Sequence, residues 1–215
     1  MATPSSAEPL SRVARRRAAV VAEALQHAET LMGEEGVGAL SVSEVARRMG
    51  IRGPSLYKYF PSRNALYDAL FARGLAAQQA ATRTAVEGVP PGVPRIRAGG
   101  VAIVAWAVEH PALAQLLFWR PVPGFAPSPE SFAPSRQDMA EVRAEFADAV
   151  RLGQLREEAD SDDAVRLYTV VLGGLISQQM ANQPGVPFAE GVFSRLTEPA
   201  LDLFLSAYAP STIAP

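Results

Sequence analysis

The segment "MGIRGPSLYKYFPSRNALYDAL", Met49 to Leu70, is the most informative part of the sequence about its fold. It contains three tyrosines, a phenylalanine, three basic residues and two prolines. Gly50 can take a positive φ, and Pro54 suits the first turn of a helix. The stretch therefore predicts a tight turn and a short helix through "SLYKYF", ended by Pro61. Ser62 then caps a longer helix.

Two helices are predicted before this turn. Apolar residues recur every three or four positions from Ser11 to Glu35, which indicates an amphipathic helix ended by Gly36. The run "SVSE", Ser41 to Glu44, is a capping-box pattern and predicts a short helix over about 42–49. A long helix followed by two short ones around a glycine turn is typical of a helix-turn-helix unit.

The rest of the chain also has helical periodicity and no strand alternation. Helices are expected over roughly 94–109, 111–119, 135–153, 161–183 and 188–208, and the five prolines of Arg120 to Ser135 predict a long loop. The fold class is therefore all-α. The predicted organisation is a disordered tail over 1–11, a three-helix DNA-binding domain over 12–75 and a larger helical domain over 76–215.

Composition narrows the function classes. The 215 residues are 48% apolar, without cysteine and with only two histidines, so a metal centre, a cofactor site or a catalytic triad has few candidate ligands. No run is long and apolar enough for a membrane span, and the N-terminus has no leader pattern, which predicts a soluble, cytoplasmic protein. Residues 10–63 carry nine basic against five acidic side chains, whereas 64–215 carry eleven against sixteen. A basic module on an acidic body indicates a polyanionic partner for the N-terminal part.

The short helix has the chemistry of a groove-reading element. Small residues at its start, Gly53 to Ser55, permit close approach to a base edge. Tyr57, Lys58 and Tyr59 offer polar and cationic groups, while Leu56 and Phe60 lie four residues apart and are expected to pack inward. For any single tyrosine, an ordinary half-buried ring is the simpler interpretation.

The combined pattern resembles the TetR family of bacterial regulators. The carrying residues are Leu56-Tyr57-Lys58-Tyr59-Phe60, then Pro61-Ser62-Arg63-Asn64, then Ala65-Leu66, preceded by "SVSEVARRMGI". The likeness covers about residues 12–75.

This resemblance implies roles for individual side chains. The residues expected to meet DNA are Ser41, Ser43, Arg52, Gly53, Pro54, Ser55, Tyr57, Lys58, Tyr59 and Arg63. Lys58 and Pro54 would face bases and the others would mainly meet phosphate. Arg52 stands where the family usually has a capping Ser or Thr, so either Gly53 takes over as cap or the helix starts later, and Arg52 becomes a contact itself. Arg12, Arg15, Arg16 and Arg17 would add phosphate or minor-groove contacts, or form a solvated helical face.

The resemblance also implies a homodimer and an effector pocket in the body. The expected interface residues are Leu167, Val171, Gly174, Leu175, Gln178, Val192, Phe193, Leu196 and Phe204. The expected pocket residues, for a small apolar or aromatic effector, are Trp106, His110, Phe118, Trp119, Phe125, Phe146 and Tyr168. Both sets could instead be plain core.

These observations predict a ligand-responsive transcriptional repressor that binds a palindromic double-stranded DNA operator as a homodimer and is released by a small molecule. The helix that begins at Ser62 is the expected lever between the two modules. An architectural or partner-binding DNA protein without an effector is the main alternative. A helical enzyme is disfavoured, since no paired carboxylates are set into an apolar stretch.

Overall fold

The polypeptide of the computed structural model is described over residues 11–210, so the predicted tail over 1–11 lies outside the described residues except for Ser11. Within that range the chain is helical and has no strand. The helices are α1 (Arg12–Glu35), α2 (Val42–Arg48), α3 (Gly53–Tyr57), α4 (Arg63–Val86), α5 (Val93–Glu109), α6 (Pro111–Phe118), α7 (Pro129–Arg151), α8 (Asp162–Asn182) and α9 (Thr197–Ser206). Short 3-10 helices occupy Val37–Ala39, Glu157–Ala159 and Ser194–Leu196. The all-α prediction is confirmed.

The chain divides into two compact units at the peptide bond between Tyr67 and Asp68, within α4. The predicted boundary after residue 75 lies further along the same helix. In the first unit α1 packs against α2, and α2 against α3. Its core is closed by fully buried side chains, namely Leu31, Leu40, Val45, Leu56, Leu66 and Tyr67. The Tyr67 hydroxyl donates a 2.6 Å hydrogen bond to the Val37 carbonyl, and burial raises the pKa of this phenol.

The second unit is built around α5, which packs against α6, α7, α8 and α9. Phe146, Tyr168 and Phe204 form an aromatic cluster in its core, with ring centroids 5.7–6.0 Å apart. The Tyr168 hydroxyl donates to the Ile96 carbonyl at 2.8 Å, and burial raises the pKa of Tyr168. This bond joins α8 to α5 inside the core.

Two sequence expectations about helix bounds are wrong. The loop expected over Arg120 to Ser135 is shorter, because α7 begins at Pro129 and contains Pro134. Ser128 caps α7 by accepting from the Ser131 amide at 3.1 Å. Asp68 in turn accepts from the Ser128 amide at 2.6 Å and from the Ser131 hydroxyl at 2.8 Å. A carboxylate 60 residues away therefore starts this helix in a proline-rich segment.

The last helix is also shorter than predicted. It covers Thr197–Ser206 instead of 188–208. The chain before it is held by Gln179, whose side-chain oxygen accepts from the amides of Phe193 and Ser194 at 3.1 Å each. Those amides are thereby satisfied without a helix.

The length and apolar character of the helices decide whether one of them could span a membrane. Within residues 11–210, no helix is by itself long and apolar enough to cross a bilayer. Helices α5 and α6 are long and apolar enough only when they are taken together, and the chain bends by 117° between them.

Candidate nucleic-acid interface and ligand cavity

The turn between α2 and α3 is built as the sequence predicts. Gly50 takes φ 69°, and the Ile51 amide donates to the Ala46 carbonyl at 3.0 Å, which closes the end of α2. Arg52 is the N-cap residue in extended conformation, without a side-chain capping bond, and α3 begins at Gly53. Gly53 is therefore not the cap and the helix does not start later. Arg52 is exposed, and its guanidinium, which has only donors, cannot cap the amides of α3 but can donate to an anion.

The predicted capping box at α2 forms only in one direction. The Ser41 hydroxyl accepts from the Glu44 amide at 3.4 Å. The Glu44 carboxylate does not return a bond to Ser41 but accepts from Arg47 at 2.6 Å and from Arg48 at 3.1 Å. These two guanidinium groups lower the pKa of Glu44 to about 2.

Helix α3 is shorter than the predicted segment, since it ends at Tyr57 and Lys58 is its C-cap residue. Leu56 and Phe60 are buried, which confirms that they pack inward. The side chains of the turn and helix that are exposed to solvent are those of Ile51, Arg52, Pro54, Ser55, Tyr57 and Lys58. Pro54 and Lys58 are four residues apart, so they share one side of the turn.

Aromatic and basic side chains border this surface within the first unit. The Arg17 guanidinium lies 5.0 Å from the centroid of the half-buried Tyr59 ring, which places α1 beside the end of α3. Arg63 is exposed, and its guanidinium lies 5.8 Å from the Tyr67 ring centroid. Ser43 is exposed and close to Gly53, where a Cβ would lie 3.8 Å from its hydroxyl oxygen. The predicted DNA-contact residues thus fall on neighbouring parts of one unit.

The second unit contains a cavity of about 740 Å³. Residues of α4, α5, α7 and α8 form its walls, together with Leu117, Phe118 and Trp119 at the end of α6. This volume is in the range of small-molecule sites in proteins.

The predicted pocket residues divide into two groups. Phe118, Trp119 and Tyr168 line the cavity. Trp106, His110, Phe125 and Phe146 do not. Phe146 belongs to the aromatic core cluster, and Phe125 is buried in the segment before α7.

Trp106 and His110 form a local pair rather than part of the cavity wall. Their rings stack at 5.1 Å, and His110 Nδ1 lies 3.0 Å from the Trp106 carbonyl oxygen. Trp106 is buried, and its Nε1 has no hydrogen-bond partner among the described residues.

Sequence reasoning missed the polar part of the cavity wall. Its members are Gln78, Gln79, Thr82, Arg83, Arg95, Ser135, Asp138, Glu141, Glu145, Thr169 and Ser177. The three acids of α7 recur at spacings of three and four, which predicts one helix face. Nothing in the spacing says that this face borders a cavity rather than solvent.

The predicted interface residues lie mostly on an accessible apolar surface. Leu167, Gly174, Gln178, Val192 and Leu196 are exposed, and Val171, Leu175 and Phe193 are half-buried. Phe204 is instead in the core, with 6% of its surface exposed, whereas its neighbour Leu203 is 75% exposed. The reason is the helical phase of α9, which points Phe204 at Phe146 and Tyr168.

The acidic and imidazole side chains of residues 11–210 form no cluster of three or more that could hold a metal ion.

Comparison with known families identifies the chain. The model for bacterial regulatory proteins of the tetR family matches residues 24–70, and the model for the tetracyclin repressor-like C-terminal domain matches residues 96–200. Together these two matches span more than half of the sequence and both units. The chain belongs to the TetR family.

Solved structures share this TetR fold over nearly the whole chain. A protein of unknown function from Rhodococcus sp. RHA1 is 22% identical, with a TM-score of 0.73, and the match covers 97% of this chain and all of that one. The TetR family transcriptional regulator PfmR from Thermus thermophilus is 22% identical, with a TM-score of 0.66 and coverage of 85% and 97%. The ketosteroid transcriptional regulator KstR2 of Mycobacterium tuberculosis is 20% identical, with a TM-score of 0.67 and coverage of 89% and 96%. At these identities the likeness establishes the fold alone. No protein of curated function matches the chain.

Proposed function

We propose that this TetR-family protein is a cytoplasmic, non-enzymatic transcriptional repressor that binds a palindromic operator as a homodimer and leaves it when a small molecule fills the cavity. The proposal rests on two features. One unit has the short exposed polar helix α3 directly after the turn at Gly50, and the other unit has a cavity of about 740 Å³. A family of DNA-binding regulators accounts for both.

The α3 surface supports duplex recognition. Its start, from Gly53 to Ser55, has no bulky side chain, so the backbone can approach base edges closely. Lys58 is the only lysine of the sequence and is exposed, so it is suited to a base contact, with Pro54 on the same side of the turn. Ser55, Tyr57 and Tyr59 are suited to phosphate, as are Arg52 and Arg63.

The α2 terminus and the first turns of α1 add to this surface. Ser41 and Ser43 lie at the start of α2, where hydroxyl and amide groups can meet a phosphate. The exposed Arg12, Arg15 and Arg16 extend the positive charge along α1.

Release by an effector is a shift between two dimer states. In the repressing state the two α3 helices of the dimer lie one DNA turn apart. In the liganded state the distance between the two α3 helices is different. Moving such an equilibrium from 1:99 to 99:1 requires a ligand that prefers the second state by about 10⁴-fold, roughly 5.5 kcal/mol. Helix α4 is the proposed lever, because it begins with Arg63 in one unit and lines the cavity with Phe71 to Val86 in the other.

Selection of bound fragments from random duplex DNA tests the DNA part of the proposal. The expected result is a palindromic site whose half-sites are about one helical turn apart. Lys58→Ala should weaken the free energy of operator binding by about 1–3 kcal/mol and relax the preference at one base position in each half-site. Tyr57→Phe should weaken all sequences similarly, and Arg136→Ala, an exposed cation of α7, serves as the control that leaves binding unchanged.

Two outcomes contradict the proposal in different ways. Equal weakening of every sequence by Lys58→Ala would make Lys58 a phosphate contact. DNA binding that does not depend on salt, or no duplex binding at all, would contradict the proposed function as a DNA-binding regulator. Intact DNA binding that no cavity ligand alters would favour the architectural alternative.

A further inference from the structure

The cavity wall carries more carboxylates than guanidinium groups. Its acidic members are Asp138, Glu141 and Glu145 of α7, and its basic members are Arg83 of α4 and Arg95 of α5. The remaining lining residues are mainly apolar or aromatic. Asp138 is half-buried, whereas Glu141 is exposed. The charge of a half-buried carboxylate is costly unless a ligand or solvent compensates it.

One acid and one base in this set neutralise each other. Arg95 Nη1 lies 3.1 Å from Glu145 Oε1, and Arg95 Nε donates to the Val89 carbonyl at 2.8 Å. Glu145 Oε2 also accepts from the Gly92 amide at 3.0 Å. Both side chains are therefore occupied in holding the start of α5 against α7.

The other two acids have only neutral partners. Asp138 Oδ1 accepts from Gln79 Nε2 at 2.8 Å, and Glu141 Oε1 accepts from Gln137 Nε2 at 3.0 Å. Neither carboxylate forms an ion pair with a described basic side chain. Burial raises the pKa of Asp138, and the charge of Glu141 raises it further, more than Arg83 lowers it.

Another part of the cavity wall is aromatic. Phe71 and Phe132 have ring centroids 6.3 Å apart, and Phe118 meets Trp119 edge to face at 6.0 Å. Along α7, the six to nine residues from Phe132 to Asp138 and Glu141 correspond to about 9–14 Å, at about 1.5 Å per residue. The cavity wall therefore has an aromatic part and an acidic part that a ligand of this length can span.

We propose that the effector is an elongated lipophilic cation, with its apolar body among Phe71, Phe118 and Phe132 and its protonated or quaternary nitrogen at Asp138 and Glu141. This inference rests on the proposed function, because it names the ligand class of the same cavity. A cation compensates the two unpaired carboxylates. An anion of the same length would be repelled by them, and Arg83 is the only group left to attract it at this end of the wall described here.

Three probes that share a ten-carbon chain test the charge of the head group. Decyltrimethylammonium, 1-decanol and decanoate are titrated below their aggregation concentrations into the full-length protein, and affinity is measured by calorimetry. The cation is expected to bind at least about tenfold more tightly than decanoate, the scale of one charge-assisted contact. The fluorescence of Trp119, which lines the cavity, should change with binding.

Isosteric variants locate the contact. The double variant Asp138→Asn with Glu141→Gln should lose about tenfold in affinity for decyltrimethylammonium, with 1-decanol unchanged. It keeps the shapes of both side chains, and its thermal unfolding confirms that it folds. Glu157→Gln, an exposed acid outside the cavity, is the matched control and should change nothing.

Tightest binding of decanoate, weakened by Arg83→Gln, would overturn the inference in favour of an anionic ligand. Equal affinities for the three probes, no binding of any of them, or an unchanged double variant would also overturn it. Selection of bound DNA fragments tests the proposed regulator separately. If a palindromic site is recovered together with any of these results, the proposed ligand class is wrong and the proposed function is not contradicted.

Discussion

Arg48 joins three acidic side chains on two helices. Its guanidinium lies 2.5 Å from Glu34 and 2.8 Å from Glu35, both in the last turn of α1, and 3.1 Å from Glu44 of α2. Two carboxylates at a helix C-terminus are unfavourable to the helix dipole, and the guanidinium offsets this. The same contacts fix α2, and with it the start of the proposed DNA surface, against α1.

The protonation of Glu44 should be visible in acid unfolding. The pKa of Glu44 is lowered from 4.5 to about 2 in the folded protein by Arg47 and Arg48. A lowered pKa stabilises the folded state above pH 4.5, and this contribution is lost as pH falls from 4.5 towards 2. In Glu44→Gln, the free energy of unfolding should therefore fall less steeply over that window than in the wild type.

Chemical denaturation at a series of pH values measures this slope. Glu23→Gln, an exposed acid of α1 outside the cluster, should keep the wild-type slope. Parallel curves for Glu44→Gln and the wild type would contradict the prediction.

Helix α5 contains two adjacent glycines, Gly99 and Gly100, with different surroundings. A Cβ on Gly100 would lie 2.8 Å from the Tyr168 hydroxyl and 3.2 Å from Leu201, so α8 and α9 approach the backbone of α5 at this point. A Cβ on Gly99 would meet Thr82 at 3.6 Å, which is an ordinary contact. Only Gly100 is required by packing.

The two alanine variants should therefore have opposite effects on stability. Gly100→Ala should destabilise the protein by about 1–2 kcal/mol, since overpacking against a rigid, hydrogen-bonded tyrosine exceeds the gain in helix propensity. Gly99→Ala should stabilise it by about 0.5–1 kcal/mol, because Ala is the better helix former. Urea denaturation of the pair is the measurement, and each variant controls the other. Equal shifts of the same sign would refute the packing argument.

At the scale of the whole molecule, the proposed homodimer depends on the exposed apolar surface of α8 and α9. These helices pack against each other and leave Leu167, Val170 and Leu203 accessible. Exposed apolar side chains grouped on packed helices are typical of an interaction site. Because the chain belongs to the TetR family, the proposed partner that covers this surface is a second copy of the same chain.

A charge on this surface should separate the copies. Leu203→Glu should raise the dimer dissociation constant by at least about 100-fold, because burying an unpaired carboxylate costs about 3–5 kcal/mol. Sedimentation velocity over a concentration series measures the constant. Val13→Glu, an equally exposed apolar position on α1, should leave it unchanged. A wild-type protein that sediments as a monomer would refute the homodimer.

The helical class, the turn at Gly50 and the inward packing of Leu56 and Phe60 are predictable from the sequence alone. These features are encoded within a few residues, in capping side chains, a positive φ and a repeat of three to four. The start of α7 at Pro129 depends on a long-range contact, since the stabilising carboxylate of Asp68 is 60 residues away. Long-range packing also makes Phe204 core while Leu203 is exposed, and places Asp138 on a cavity wall. Periodicity tells which residues share a helix face, but what covers that face depends on helices that are distant in the chain.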